Sequence, residues 1–332
     1  MAPRVTVLMP VYNAAAYVAE AAASILSGSF RDLELLAIDD GSTDESEDRL
    51  RAIADSRLRV VKNPANLGVV RTLNRGLDLA DGEFIARMDA DDISMPRRLA
   101  QQLAFMDLNP EIGACGTSAT TFGGAPPVKL RPPQTPEQIR VQLFGFNALI
   151  HPTVMLRRAV FLRHELRFSP DAVHAEDLDL WMRAAEHFPL ANIPVMGLRY
   201  RVHANQIASR FAAEEQQTLR QLRRRQLALL LPEATETEAG LHLQVLDTAA
   251  PLTHSELVAS RAWLERLADA NQRSRRYDPQ AFRDFLAVRW LNAAHRCEPR
   301  SAWVWSTWRG STLAQARMGA RLRLLVKSLR GR

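Results

Sequence analysis

The chain has two cysteines, Cys115 and Cys297, in 332 residues. A disulfide framework is excluded, and neither cysteine sits near a C-x-x-C pair, so a reducing cytoplasm is the expected compartment and small buried side chains are their expected role. No stretch reaches the roughly 18 uncharged residues needed to span a bilayer. The apolar start "MAPRVTVLMPVYNAAAYVAEAAAS" is broken by Asn13 and Glu20 before a signal-peptide core and cleavage site could form, so the expectation is a protein not integral to a membrane. Glycine-rich phosphate cradles are also missing. A dinucleotide fold puts G-x-G-x-x-G after its first strand, whereas here the first strand runs into Pro10, Val11, Tyr12 and Asn13, and no P-loop occurs anywhere.

What is present is a globular composition, 47% hydrophobic and 24% charged, with a net charge of +6. That charge favours anionic partners without distinguishing nucleotide, nucleic acid and lipid headgroup. "VTVLMP" and "LELLAID" are apolar runs without alternation, which suits parallel strands covered on both faces. Between them an alanine-rich helix is expected over about 14–27, with Gly28 as a stop signal. Ser42 and Glu45 have capping-box spacing for a second helix. "RLRVVKN" reads as a third strand, "LGVVRTLNRGLDLA" as a helix with Leu67, Val70, Leu73 and Leu77 on one face, and "EFIARMD" as a fourth strand. Strands alternating with helices imply a doubly wound, mostly parallel α/β sheet, whose ligands bind beyond the carboxyl ends of the strands.

That rule gathers "PVYN", "DDGSTD" and "DADD" along one rim. Three carboxylates in four positions, Asp89, Asp91 and Asp92, repel one another directly after an apparently buried strand. Solvated turn aspartates are one reading and a divalent cation is the other. Without a glycine cradle, an anionic ligand on this acidic rim must be held partly through a metal. Hard oxygen ligands with no nearby Cys or His pair favour magnesium or manganese over zinc.

Six blocks in order, "VLMPVYN", "AIDDGSTDES", "NLGVVRTLNRGLDLADGEFIARMDADDISMPRRL", "HPTVMLRR", "EDLDLWMR" and "YRVHANQIAS", resemble the family 2 glycosyltransferases over about residues 4–210. The resemblance implies a GT-A fold, Rossmann-like, and a nucleotide-diphospho-sugar donor. It implies that Pro10, Tyr12 and Asn13 after the first strand, together with Asp40, hold the nucleoside. A turn or cap role competes for Asp40. In the family's D-x-D motif, carboxylates reach the ribose and a cation bridging the diphosphate, which maps onto Asp89, Asp91 and Asp92, with Asp91 the core member and Asp91 and Asp92 the metal side. The family's catalytic base falls on Asp177, with Glu176 beside it, while acids such as Asp179 in a helix's first turn also suit its dipole. Trp181 is either an acceptor wall or core. His203 matches a histidine near the diphosphate or metal, against a structural alternative, and His151 either shapes the acceptor side or fixes the loop before Pro152.

Residues 1–210 are thus expected to be the catalytic domain, with a nucleotide-sugar half at 1–122 and an acceptor half at 136–210. The five-proline segment 123–138 between them reads as a connector or a lid, and Thr135, Pro136 and Gln138 should restart a helix. Residues 211–332 read as a helical C-terminal region with breaks near Pro232, Pro251, Pro279 and Pro299. Its tail carries Trp303, Trp305 and Trp308 with many arginines and no acid. Such a composition suits peripheral docking on the anionic inner face of a membrane, or a helical cap packed on the protein. No nucleic acid is expected, since no recognised module accompanies the basic tail. The function implied is an inverting, Mn2+- or Mg2+-dependent transfer of sugar, a UDP-sugar first, to a glycan or lipid-linked glycan in surface-polysaccharide assembly. A nucleotidyltransferase and a catalytically silent nucleotide-sugar binder or membrane scaffold are the alternatives.

Overall fold

The computed structural model describes residues 2–124, 126–203, 212–247, 249–299 and 301–315. The chain divides into two compact units, one ending at Thr218 and one beginning at Leu219.

The first unit is built on a sheet of nine strands among the described residues, ordered β3-β2-β1-β4-β8-β6-β9-β5 with β7 beside β6. The strands β1 (Val5–Val11), β2 (Leu33–Asp39), β3 (Leu58–Lys62) and β4 (Phe84–Arg87) pair in parallel. The intervening helices are α1 (Val18–Leu26), α2 (Ser46–Arg51) and α3 (Val69–Leu79). Strands β1, β2 and β4 are buried almost throughout, as a sheet covered on both faces requires, and Val7, Met9, Leu35, Phe84 and Ala86 share one apolar core with Val18, Ala22 and Ile25 of α1.

The chain order reverses at β1, which lies between β2 and β4. Connections from adjacent strands therefore leave in opposite directions there, and a crevice opens beyond the carboxyl ends of β1 and β4. The loops carrying Tyr12 and the three aspartates follow those two strands.

Beyond β4 the pairing changes. The strand β8 (Met155–Arg157) runs antiparallel to β4 and to β6 (Ala114–Phe122), while β9 (Leu190–Arg201) is parallel to β6 with a register shift near Ser118. The two-residue β5 (Ile93–Ser94) pairs antiparallel with Arg199 and Leu198 of β9. The parallel ladder expected from the apolar runs thus covers the first half of the unit, and a mixed continuation completes the sheet. After β5 come α4 (Arg98–Leu108), the short β7 (Lys129–Leu130) and α5 (Pro136–Gln142). The α5 start was legible: Thr135 caps it by accepting from Gln138 N, with Pro136 in the first turn. Two further helices, α6 (Arg158–Arg163) and α7 (Glu176–Ala184), complete the part that carries the site.

The second unit is helical, with segments Glu236–Leu246, His254–Ser274, Pro279–Arg296, Ala302–Arg309 and Thr312–Gln315 after the helix Ala212–Leu230 that crosses the division. Capping boxes at Thr235/Glu238 and Thr253/Glu256 start two of them. The expected break near Pro279 falls at residues 275–278, and Pro279 opens the next helix, capped by Asp278, because the first turn needs no proline N–H. Trp308 is buried and its carbonyl accepts from the Trp290 indole, Trp305 lies against His295 and Trp308, and Trp303 is exposed beside His254. The arginine-rich end of the expected membrane tail, residues 316–332, lies outside the described residues. Among the described residues no helix is long and apolar enough to cross a membrane. Cys115 and Cys297 are both buried.

Candidate active site

The loops that follow β1 and β2 interlock. After β1, Asn13 takes a left-handed backbone (φ 48), a conformation Asn tolerates, and its Oδ1 accepts from Thr43 N at 2.9 Å. In return Ser42 Oγ accepts from Asn13 N and Ser46 Oγ from Ala14 N. The hydroxyls of "DGSTDES" therefore hold the neighbouring loop, and the expected capping box on Ser42 does not form: α2 begins at Ser46 with no side-chain cap. Gly41 is obligatory, because at φ 71 a Cβ would lie 2.7 Å from the backbone of Ala65 and Asn66. Pro10 is half-buried at the end of β1, and the Tyr12 ring beside it is 50% exposed.

Asp40 is buried, and its carboxylate already accepts from Asn63 Nδ2 (2.7 Å), Leu67 N and Gly68 N (both 2.9 Å). It therefore fixes the turn into α3 as well as facing the rim. Asp39, fully buried, accepts from Ser42 N.

The acid cluster follows β4. One carboxylate oxygen each from Asp89, Asp91 and Asp92 lies within 4.8 Å of the others. Asp89 is ion-paired with Arg87. Asp92 is 1% exposed; its Oδ1 accepts from Arg201 N at 2.8 Å, while Oδ2 is buried with no hydrogen-bond partner among the described residues. Burial, with Asp89 and Asp91 alongside, pushes the Asp92 carboxyl up to about 9, and Asp91 is raised for the same reasons. A buried, unpartnered carboxylate oxygen beside two more acids is a cluster short of positive charge, and its donors are the hard oxygens a divalent cation takes. The residues fit such an ion.

Strand β9 brings the rest of the cluster's surroundings. Its pairing with β5 sets Arg201 against the aspartate turn, where Nε donates to Asp91 O at 2.6 Å and the guanidinium sits over the Tyr17 and Phe122 rings. Two residues on, His203 Nε2 meets Asp91 Oδ2 at 2.9 Å. The ring thus contacts the carboxylate at the centre of the cluster, beside the other two acids. Below the cluster Arg98 is fully buried, donates to Arg87 O at 2.6 Å, and is drawn down to about 10 by burial.

The second acid pair opens α7. Burial, then the Asp177 charge, raises Glu176 to about 7, and Glu176 Oε2 is buried without a partner among the described residues. Asp177, raised chiefly by burial, accepts from Asn147 Nδ2 at 2.6 Å and from Leu178 N. The positive charge of Arg87, at the end of β4, acts on Glu176, Asp177 and Asp92, and the charge of Asp89 acts on Glu176. Asp179 instead forms an i,i+4 ion pair with Arg183 and is buried. Trp181 is core, 1% exposed against Phe161 and His151. His151 is held neutral by burial and by Arg87, and both its ring nitrogens are buried without partners among the described residues. Sequence reasoning singled out neither Arg87, Arg201, Asn63 nor Asn147.

Residues 6–164 match the model of glycosyl transferase family 2. An uncharacterized glycosyltransferase of Haemophilus influenzae is 29% identical over 264 residues, covering 75% of this chain and 80% of that one. The putative glycosyltransferase EpsE of Bacillus subtilis is 33% identical over 190 residues, 55% of this chain and 67% of its own. WfgD of Escherichia coli, a UDP-Glc:alpha-D-GlcNAc-diphosphoundecaprenol beta-1,3-glucosyltransferase, is 27% identical over 62% of this chain and 79% of its own. Among solved structures, S. aureus TarS 1-349 in complex with UDP-GlcNAc superposes with a TM-score of 0.58 at 18% identity, covering 88% of this chain and 87% of that one. The mannosyltransferase PcManGT of Pyrobaculum calidifontis, in complex with GDP-Man and Mn2+, gives 0.53 at 19% identity over 95% and 86%. The chain belongs to glycosyl transferase family 2 and has the GT-A fold with C-terminal helices. It is a glycosyltransferase.

Proposed function

We propose that the chain is an inverting, metal-dependent transferase that takes a sugar from a nucleoside-diphosphate donor, a UDP-sugar first, and passes it to a hydroxyl of a glycan or lipid-linked glycan at the cytoplasmic face of the membrane during surface-polysaccharide assembly. The observation that carries this reading is the cluster of Asp89, Asp91 and Asp92, whose carboxylate oxygens lie within 4.8 Å of one another and include a buried one unpartnered among the described residues, together with the raised acids Glu176 and Asp177 at a helix start. UDP-GlcNAc in TarS, GDP-Man with Mn2+ in PcManGT and the diphosphoundecaprenol-linked acceptor of WfgD support the donor, metal and acceptor classes.

Asp91 and Asp92, with Asp89 at the ribose side, are the residues that would hold Mn2+ or Mg2+, and His203 orients Asp91. Such an ion supplies neutralisation of the diphosphate charge. Pro10, Tyr12, Asn13 and Asp40 form the nucleoside side, where the exposed Tyr12 ring offers a stacking face. Asp177 removes the proton from the acceptor hydroxyl while that oxygen bonds to the anomeric carbon. The bond from that carbon to the diphosphate oxygen breaks on the opposite side, and its electron pair leaves with the nucleoside diphosphate, so configuration inverts. A carboxylate raised by burial is a better base than a solvated one, provided it stays ionised. Glu176 is the second acid at this side of the reaction.

The test is a pair of variants. Asp177→Asn should bind donor within about threefold of the parent yet lose turnover by about a thousandfold or more, whereas Asp91→Ala should lose metal-supported donor binding itself. Equal loss of binding in both would refute the division of roles.

A further inference from the structure

The loop before β8 is anchored to the sheet at several points. Asn192 of β9 is buried, and its amide donates to the carbonyls of Pro133 (2.7 Å) and Ala148 (2.8 Å). Further along, Thr153 Oγ1 accepts from Thr117 N of β6 and donates to Ile150 O. Residues 148–153 are thereby fixed to the sheet. Asn147 stands at the start of this segment with its own amide oriented, since Oδ1 accepts from Leu149 N at 3.2 Å and Nδ2 can only point the other way. That nitrogen donates to Asp177 Oδ2 at 2.6 Å across 30 residues of sequence.

We infer that Asn147 is a positioning residue for transfer: an amide held by the sheet through its loop fixes the orientation of the Asp177 carboxylate at the start of α7. The inference rests on the reading of Asp177 as the base. Among the described residues, the other charged groups that act on or are acted on by Asp177 are Glu176 on its own helix, Arg87 from the end of β4 and Glu215 from the helix Ala212–Leu230, with His174 acting on Glu215. Burial and the neighbouring acids favour the protonated form; Arg87, Leu178 N and Asn147 favour the carboxylate. Asn147 is the donor among these whose removal leaves the charges and the helix backbone intact. A donor amide lost from a carboxylate raises its pKa, so the acid limb of turnover moves to higher pH.

The test needs no acceptor. Full-length protein with 13Cγ-labelled aspartate is titrated by NMR, the Asp177 signal being the one absent from Asp177→Asn. In Asn147→Ala that signal should titrate about one pH unit higher than in the parent, the size of one charge-assisted hydrogen bond. In Asn147→Asp, which keeps an acceptor for Leu149 N and puts a carboxylate in place of the donor, it should move further in the same direction. UDP release from UDP-GlcNAc with Mn2+, or from UDP-Glc where that donor binds, should show the matching displacement of the acid limb in kcat with the donor KM unchanged. A role confined to loop stability would lower Tm and leave the Asp177 titration where it is, and that result overturns the inference. Parent-level UDP release by Asp177→Asn overturns the base assignment, and the inference with it.

Discussion

Replacing Asp92 by Asn should make the metal-free protein more stable. Asp92 is 1% exposed, with one oxygen bound to Arg201 N and the other orphaned. Its carboxyl is raised from 3.8 to about 9 by burial and by Asp89 and Asp91. A group whose folded value lies above its unfolded one contributes its full stability below the unfolded value and loses it as pH rises towards the folded one. The window here runs from about pH 4 to about pH 9. At pH 7 the folded state has lost about 1.4 kcal/mol for each pH unit above 3.8, on the order of 4 kcal/mol as an upper bound. Asn keeps the acceptor for Arg201 N and removes the charge. For a unit of this size each kcal/mol moves Tm by about 2–4 °C, so a rise of several degrees is expected at pH 7 in chelator, shrinking towards pH 4. The assay is thermal unfolding of parent and variant at pH 4.5, 7 and 8.5, each with EDTA and with Mn2+. Millimolar Mn2+ should stabilise the parent strongly and the variant little. A variant less stable than the parent in EDTA at pH 7, or equally stabilised by Mn2+, would refute the account of the cluster as a repulsive site completed by a cation.

Gly41→Ala should cost about 2–3 kcal/mol, because its φ of 71° is unfavourable to a side chain and the added Cβ would meet backbone at 2.7 Å; urea unfolding of the full chain reads it directly. Trp181→Ala should lower stability by about 3–5 kcal/mol as a core truncation, read in the same experiment, and a loss below 1 kcal/mol would restore the acceptor-wall reading. Truncation after residue 300 should weaken flotation with anionic liposomes, most at low salt, since the segment removed carries arginines and no acid. Unchanged flotation would remove the membrane reading.

The first half of the sheet was legible because β1, β2 and β4 are continuous apolar runs, which parallel strands covered on both faces must be. Strands β6 and β9 were not, because "ACGTSATTF" and "LANIPVMGLRYR" mix hydroxyls, glycine and charge; they are held by mutual pairing across about 75 residues rather than by their own periodicity. The same distinction governs the site. Tyr12, Asp40, Asp89, Asp91, Asp92 and Asp177 each lie in a compact block beside a strand end or helix start, so the resemblance of those blocks to the family pointed to them. Arg201 and Asn147 act through contacts 110 and 30 residues away, and Arg87 looks like an ordinary strand residue until the fold sets both acid clusters around it. Ser42 shows the converse: its spacing suited a helix cap, but its hydroxyl is taken by Asn13 N from the loop after β1.

The central claim is a metal-completed nucleotide-sugar site, and isothermal calorimetry tests it most directly: UDP-, GDP-, TDP- and CDP-sugars titrated into purified protein, once with Mn2+ and once with chelator. The account predicts binding of one nucleotide series, UDP first, that disappears in chelator and in Asp91→Ala. Donor binding of equal strength in chelator, or none of the four series binding with Mn2+ present, would contradict it.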